Sequence, residues 1–192
     1  GPEQFAAEAL RLFEHPGACS EIGGNAFQVI QDNIGAVQRS LDVLMPAIGN
    51  IVAMEVSFMR APYKIVERDP GWTEMEWQFK TWYHFGYLSG DDLPQSLIHT
   101  LDTGLWALRE EVPVSAHALA GRSASIATKY GDVFDHAAVV YEFASGCRMY
   151  GFVRTQHNCH GEVAMKLFGS KGRASETMSA CSALFLMTRK RP

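Results

Sequence analysis

The feature that most constrains this chain is a change of hydrophobic period at Ile51. Before it, apolar residues recur at helical spacing. After it, short runs rich in strand formers are separated by turn residues. Ile51–Met59 (IVAMEVSFM) reads as a strand. Val114–Ala120, Ala137–Phe143, Cys147–Arg154 and Glu162–Phe168 read as four more. Ala144-Ser145-Gly146 joins two of them as a short hairpin turn. Strands joined by short loops, with helical patterns beside them, predict an α+β fold with an antiparallel or mixed sheet and helices on one side.

The first third is helical. Glu3–Glu14 places Phe5, Ala9, Leu12 and Phe13 on one stripe, and His15-Pro16-Gly17 ends that helix. Residues 21–25 read as a loop. A second helix is expected over Ala26–Leu44, with Ile30, Ile34, Val37, Leu41 and Leu44 at helical spacing, and Gly35 weakening it by about 1 kcal/mol. The chain thus divides into a helical segment (1–50), an α+β domain (51–175) and a tail (176–192) expected to be loosely ordered. The start Gly1-Pro2 fits the scar of a cleaved tag, so the natural N-terminus is expected to lie elsewhere.

Composition excludes several classes. With 47% hydrophobic and 20% charged residues, the chain is not of the disordered type. A formal charge of -4 gives no electrostatic reason for a nucleic-acid partner, and no apolar run has the length of a membrane helix. The four cysteines (19, 147, 159 and 181) form no C-x-x-C pair and read as reduced, mostly buried thiols of a cytoplasmic protein.

The most informative segment is the helix expected over Gln95–Arg109. Gly90-Asp91-Asp92 and Pro94 signal its start. Stepping about 100° per residue, Leu97, Ile98, Leu101, Leu105 and Leu108 gather on one side, and Gln95, His99, Asp102 and Trp106 on another. Two readings fit that polar side. One is a solvated face or a structural His–Asp pair; the other is a proton-transfer site in which His99 is tuned by Asp102. An exposed Trp106 would be unexpected on a merely solvated face, and points to an interface or a pocket cap. The aromatic run Trp72, Trp77, Phe79, Trp82, Tyr83, Phe85 and Tyr87 reads as core or interface, with a ligand platform as the alternative. Gly131–His136 reads as a polar loop, or as one that brings Asp135 or His136 to the pocket. His157-Asn158-Cys159-His160 reads as a strand-end loop, since adjacent strand residues face opposite ways and would not easily meet one metal ion. No G-x-G-x-x-G, G-x-x-x-x-G-K-[ST] or G-x-S-x-G occurs.

Several segments, in order, resemble one family. They are IGNIVAMEVSF, TEMEWQFKTWYHFGYLSGDD, QSLIHTLDTGLWAL, AGRSASIATKYGDVFDHAAVVYEFASGCRMYGFVRTQ and MKLFGSKGRA. From Ile51 to about Ala174 the chain resembles the C-terminal domain of the Gfo/Idh/MocA oxidoreductases, the family of glucose–fructose oxidoreductase and inositol dehydrogenase. The resemblance implies an open, mostly antiparallel sheet with helices packed on one face. It also implies a substrate pocket for a sugar, polyol or related compound, hydride transfer with NAD or NADP, and a homo-oligomer formed through the sheet's outer face. It makes His99 the catalytic acid/base, supported by Asp102. Gln95, Trp106, Arg122, Asp135 and His136 become candidate substrate-binding residues. Two departures stand out. Gln95 occupies a position where many relatives carry an acid, and Gln neither ionises nor raises the pKa of a nearby His. Residues 1–50 do not resemble a Rossmann domain, and no E-K-P occurs, so the cofactor-binding half is expected to lie outside this chain. A non-catalytic binding or assembly module that keeps the fold is the alternative.

Overall fold

The computed structural model describes residues 1–179 and 182–189, with burial and side-chain contacts described through residue 177. Two compact units are found, residues 1–42 and 43–192.

The N-terminal unit is helical. Helix α1 spans Pro2–Glu14 and α2 spans Pro16–Asn33. A third helix, α3, spans Ala36–Ile48. The loop expected at residues 21–25 is absent. Pro16 sits in the first turn of α2, where its missing N–H costs nothing and its fixed φ suits a helix start, so the helix runs straight through that segment. The single helix expected over Ala26–Leu44 is instead two. The break falls at Ile34-Gly35, where Gly35 adopts a φ of +78° that an L-residue rarely takes. Neither α1 nor α2 has a buried residue.

The second unit is built on a seven-stranded sheet of order β2-β3-β4-β1-β5-β6-β7. Its strands are β1 (Ile51–Arg60), β2 (Pro113–Gly121), β3 (His136–Phe143), β4 (Arg148–Thr155), β5 (Glu162–Gly169), β6 (Gly172–Ser179) and β7 (Ser182–Arg189). Only the β1–β4 pair is parallel. The other pairs are antiparallel. All five expected strands are present. The tail, expected to be loosely ordered, contributes the end of β6 and all of β7, paired from Gly172↔Arg189 to Ser179↔Ser182. No strand period shows in its sequence, because Ser, Ala and Thr mix with apolar residues without regular alternation. Residues 180–181 and 190–192 of that tail lie outside the described residues.

The excursion after β1 is helical where the aromatics are dense. Helix α4 (Glu74–Lys80) is opened by a capping box, with Glu76 N–H donating to Thr73 Oγ1 and Thr73 N–H to Glu76 Oε2. A short 3₁₀ turn (Trp82–His84) and α5 (Gly86–Ser89) follow. Trp77 meets Phe85 edge-on, with centroids 5.5 Å apart.

One helix crosses the sheet. A π-helical turn, Leu93–Leu97, runs directly into α6, Ile98–Ala107. The face beneath carries Met54 and Val56 from β1, Val139 from β3, Met149 and Val153 from β4 and Leu167 from β5, all buried. The buried residues of α6 are Thr100, Gly104 and Ala107, and of the apolar side that its sequence suggested only Leu97, just ahead of the helix, is buried. Ile98 is exposed, and Leu101, Leu105 and Leu108 are half-buried. Small residues win because the helix sits close. A side-chain carbon on Gly104 would lie 3.0 Å from Met149 Cε, and one on Gly151 would lie 2.9 Å from Leu97 Cδ2. Packing at that distance excludes larger side chains at the contact.

Candidate functional site

The helix-facing side of β1 reads Met54, Val56, Phe58, Arg60, so the strand's apolar row ends in a cation. Arg60 reaches Asp92, just ahead of the π turn, with Nη2 2.8 Å from Oδ1. Asp92 is buried, and its carboxylate is fully used. Oδ1 also accepts from Ser96 Oγ at 3.1 Å and Gln95 Nε2 at 3.2 Å, while Oδ2 accepts from Thr155 Oγ1 at 2.7 Å. One carboxylate therefore ties the ends of β1 and β4 to the start of α6. The Arg60 guanidinium lies 3.5 Å from the Tyr63 ring centroid, and Tyr63 stacks on Tyr83 at 3.9 Å. His84 is buried beneath them. Burial pushes its pKa down, against the pull of the Tyr63 carbonyl that its Nε2 approaches at 3.1 Å.

Two buried polar atoms in this cluster lack a partner, Arg60 Nε and Gln95 Oε1. Both residues line a small cavity of about 10 Å³ that also touches Tyr63, His84 and Asp135. That is room for about one water or one hydroxyl group. Of the two free atoms, Arg60 Nε can donate and Gln95 Oε1 can accept.

The expected His/Asp/Gln/Trp face is only partly assembled. His99, Asp102 and Trp106 lie on the exposed side of α6, Trp106 with 38% of its surface accessible. The His99 ring packs near Phe58, with centroids 5.9 Å apart. No ion pair joins His99 to Asp102 among the described residues. Gln95 has left the stripe and joins the Asp92 cluster. The cause is the π turn: Ile98 N–H donates to the carbonyl of Leu93, five residues back. That adds a residue to the turn, so the i,i+4 relation expected between Gln95 and His99 does not hold.

Arg122, Asp135 and His136 form a second, structural cluster. Arg122 Nε donates to the carbonyl of Ser125. Asp135 is buried, and its Oδ2 accepts three backbone N–H bonds, from Ser123, Ala124 and Ser125, at 2.7 to 2.9 Å. Its Oδ1 meets His136 Nδ1 at 2.6 Å and Gln156 Nε2 at 3.1 Å. Burial alone would raise the Asp135 pKa. The three N–H donors and His136 outweigh it and hold the carboxyl well below the usual range. These residues fix the loop after β2, and only Asp135 also lines the small cavity. Arg122 and His136 do not line it.

His157, Asn158, Cys159 and His160 occupy the turn between β4 and β5, with Asn158 at a φ of +58°. Among the described residues, no group of three or more His, Cys, Asp and Glu is placed to hold a metal ion. Cys19, Cys147 and Cys159 are free thiols, but only Cys147 is buried, against the expectation of mostly buried thiols; Cys181 lies outside the described residues.

Asp92, Arg60, Ser96 and Thr155 were missed from the sequence. Asp92 was read only as part of a helix start. The available signal was Arg60, a charge in phase with Met54, Val56 and Phe58 on a buried strand face, which requires a buried partner.

No family model and no curated protein matches the sequence. Solved structures do match. Aldose-aldose oxidoreductase from Caulobacter crescentus, complexed with glycerol, aligns with a TM-score of 0.56 at 18% identity, covering 84% of this chain and 44% of that one. Myo-inositol 2-dehydrogenase from Lactobacillus plantarum aligns with a TM-score of 0.51 at 15% identity, covering 77% and 43%. Levoglucosan dehydrogenase, in complex with NADH and L-sorbose, aligns with a TM-score of 0.53 at 14% identity, covering 80% and 43%. The chain therefore spans less than half the length of the structures it matches.

Proposed function

From the fold, which is that of Gfo/Idh/MocA-type oxidoreductases over the part these chains share, we propose that this chain is the substrate-side and assembly part of an NAD(P)-dependent dehydrogenase acting on a sugar, polyol or related compound. The observation that carries the reading is His99, exposed on α6 with no hydrogen-bond partner for its ring among the described residues, on the helix that follows Gln95 and the Arg60–Asp92 cluster. In this reading His99 exchanges the proton of the reacting hydroxyl through a ring nitrogen. Asp102, one turn along on the same exposed side, is the supporting polar group in this reading. Gln95 Oε1 and Arg60 Nε bind a neighbouring hydroxyl, and Trp106 offers an apolar wall. Arg122, Asp135 and His136 act by holding the loop beside the cavity.

In this reading the described residues do not hold the dinucleotide. No helix among them starts from a glycine-rich turn after a strand, which is the geometry that cradles a pyrophosphate. NAD or NADP, and with it the hydride acceptor, is in this reading held by residues other than these. Assembly into a homo-oligomer uses the outer sheet face, where Tyr150 and Phe168 are exposed beside the Glu55–Lys166 ion pair. The protein works in the cytoplasm, without a membrane or nucleic-acid partner; no described helix is long and apolar enough to cross a membrane.

The test is turnover. The 192-residue chain, mixed with NAD⁺ or NADP⁺ and myo-inositol or glucose, should give no reduced cofactor. Reduction by the chain alone would refute the division of labour. In a protein that contains both halves, His99→Ala should lower kcat/KM by at least the 10²-fold typical of a lost acid/base group. An unchanged kcat/KM removes His99 from the chemistry. That second outcome would favour a non-catalytic binding module, a reading supported by the engagement of Gln95 with Asp92.

A further inference from the structure

Strand β2 forms one free edge of the sheet. Natural sheets blunt such edges with charges, prolines, bulges or a covering element, because unpaired N–H and C=O groups recruit another strand. Here a register shift lies between Pro113 and Ser115, and from Ser115 to Gly121 the pairing with β3 is regular. Those residues read S-A-H-A-L-A-G, with no proline and no Asp, Glu, Lys or Arg. Ala116, His117, Ala118, Leu119 and Ala120 are all exposed, Leu119 with 83% of its surface accessible. Among the described residues, no strand other than β3 pairs with it.

The backbone phase matters as much as the composition. Asp135 N–H donates to the carbonyl of Gly121, so Gly121 directs its carbonyl toward β3. Successive residues of a strand direct their groups to opposite edges. The free N–H and C=O groups along the edge therefore belong to Ala116, Ala118 and Ala120. Every outward-bonding position carries a methyl group that lets a second strand approach. The run is also near-palindromic about Ala118: small, Ala, large, Ala, large, Ala, small. An antiparallel two-fold axis demands that pattern, because each residue must suit its mirror position.

We propose that β2 pairs antiparallel with β2 of a second copy of this chain about Ala118, joining two seven-stranded sheets into one continuous sheet. Ala118 lies opposite Ala118, Ala116 opposite Ala120, His117 opposite Leu119 and Ser115 opposite Gly121. Each exposed Leu119 is covered by the imidazole of the other copy, and no like charges face each other. His117 and Leu119 lie on the outer face named for the sheet-face assembly above, and the edge alanines do not. Ala116, Ala118 and Ala120 share the face of Tyr141, Val139 and Ala137, the side on which α6 packs, so charges placed there leave the outer face untouched.

Light scattering on the full chain, with thermal unfolding as the folding control, tests it. A118K places lysine opposite lysine and should halve the particle mass. A116E/A120E places like charges opposite at both flanking positions and should halve it too. A116E/A120K places opposite charges at the same positions and should keep the wild-type mass. The last two variants alter the same sites, so their difference decides the matter even if A118K folds poorly. A monomeric wild type, a mass unmoved by A116E/A120E, or equal dissociation of both double variants overturns the proposal. Tyr150→Glu reports on the outer face alone: its halving of the mass, with A116E/A120E silent, would leave the face assembly standing and the edge pairing refuted.

Discussion

At Asp92 one carboxylate accepts from Arg60, Gln95, Ser96 and Thr155, and it does so almost without solvent contact. Removing it would leave the half-buried Arg60 charge uncompensated. Asp92→Ala should therefore cost about 3–5 kcal/mol of unfolding free energy, the range for breaking a buried ion pair, and urea unfolding measures it. A cost under 1 kcal/mol would mean that water replaces the carboxylate freely. Asp135 makes a different kind of prediction. Its folded-state pKa is depressed, so its stabilisation is present above the unfolded carboxyl value near 4 and is lost as pH falls toward the folded value. Asp135→Asn should lower Tm at pH 7, and the gap to wild type should close only as pH drops below about 4. A gap that stays constant down to pH 3 would show that the carboxylate's charge is not what holds the 121–125 loop.

Helix α6 shows why its exposed face was legible and its packing was not. His99, Asp102 and Trp106 follow the regular helical step, and the structure exposes all three as that step predicts. Gln95 does not, because the π turn at Leu93–Leu97 inserts a residue that no hydrophobic pattern announces. The buried side was misread because apolar size was taken as the guide to burial. At a close helix–sheet contact it is the small residues Thr100, Gly104 and Ala107 that go inside. Gly104→Val should therefore destabilise by about 1–3 kcal/mol, the usual cost of overpacking, although valine is the more hydrophobic residue. Stability equal to wild type would mean that Met149 yields. Strands β1 to β5 were legible because their runs are rich in apolar strand formers. The β6–β7 hairpin was not, since its Ser, Thr and Ala residues dilute the period.

For the whole molecule, the α+β plan emerged from local pattern and from the resemblance together. What neither contained was the polar cluster where the ends of β1 and β4 meet the start of α6, because Arg60, Asp92 and Thr155 are distant in sequence and meet only when the sheet forms. That junction and the exposed His99 are what the functional reading rests on. Its most direct test is NMR of the imidazole and carboxamide signals of the isolated chain during titration with myo-inositol, with glycerol as a smaller probe. The account predicts saturable shifts at His99 and at the Gln95 side chain, with the Gln95 shift surviving His99→Ala in weakened form. Shifts that leave both residues unmoved, or that appear only at other sites, would contradict it.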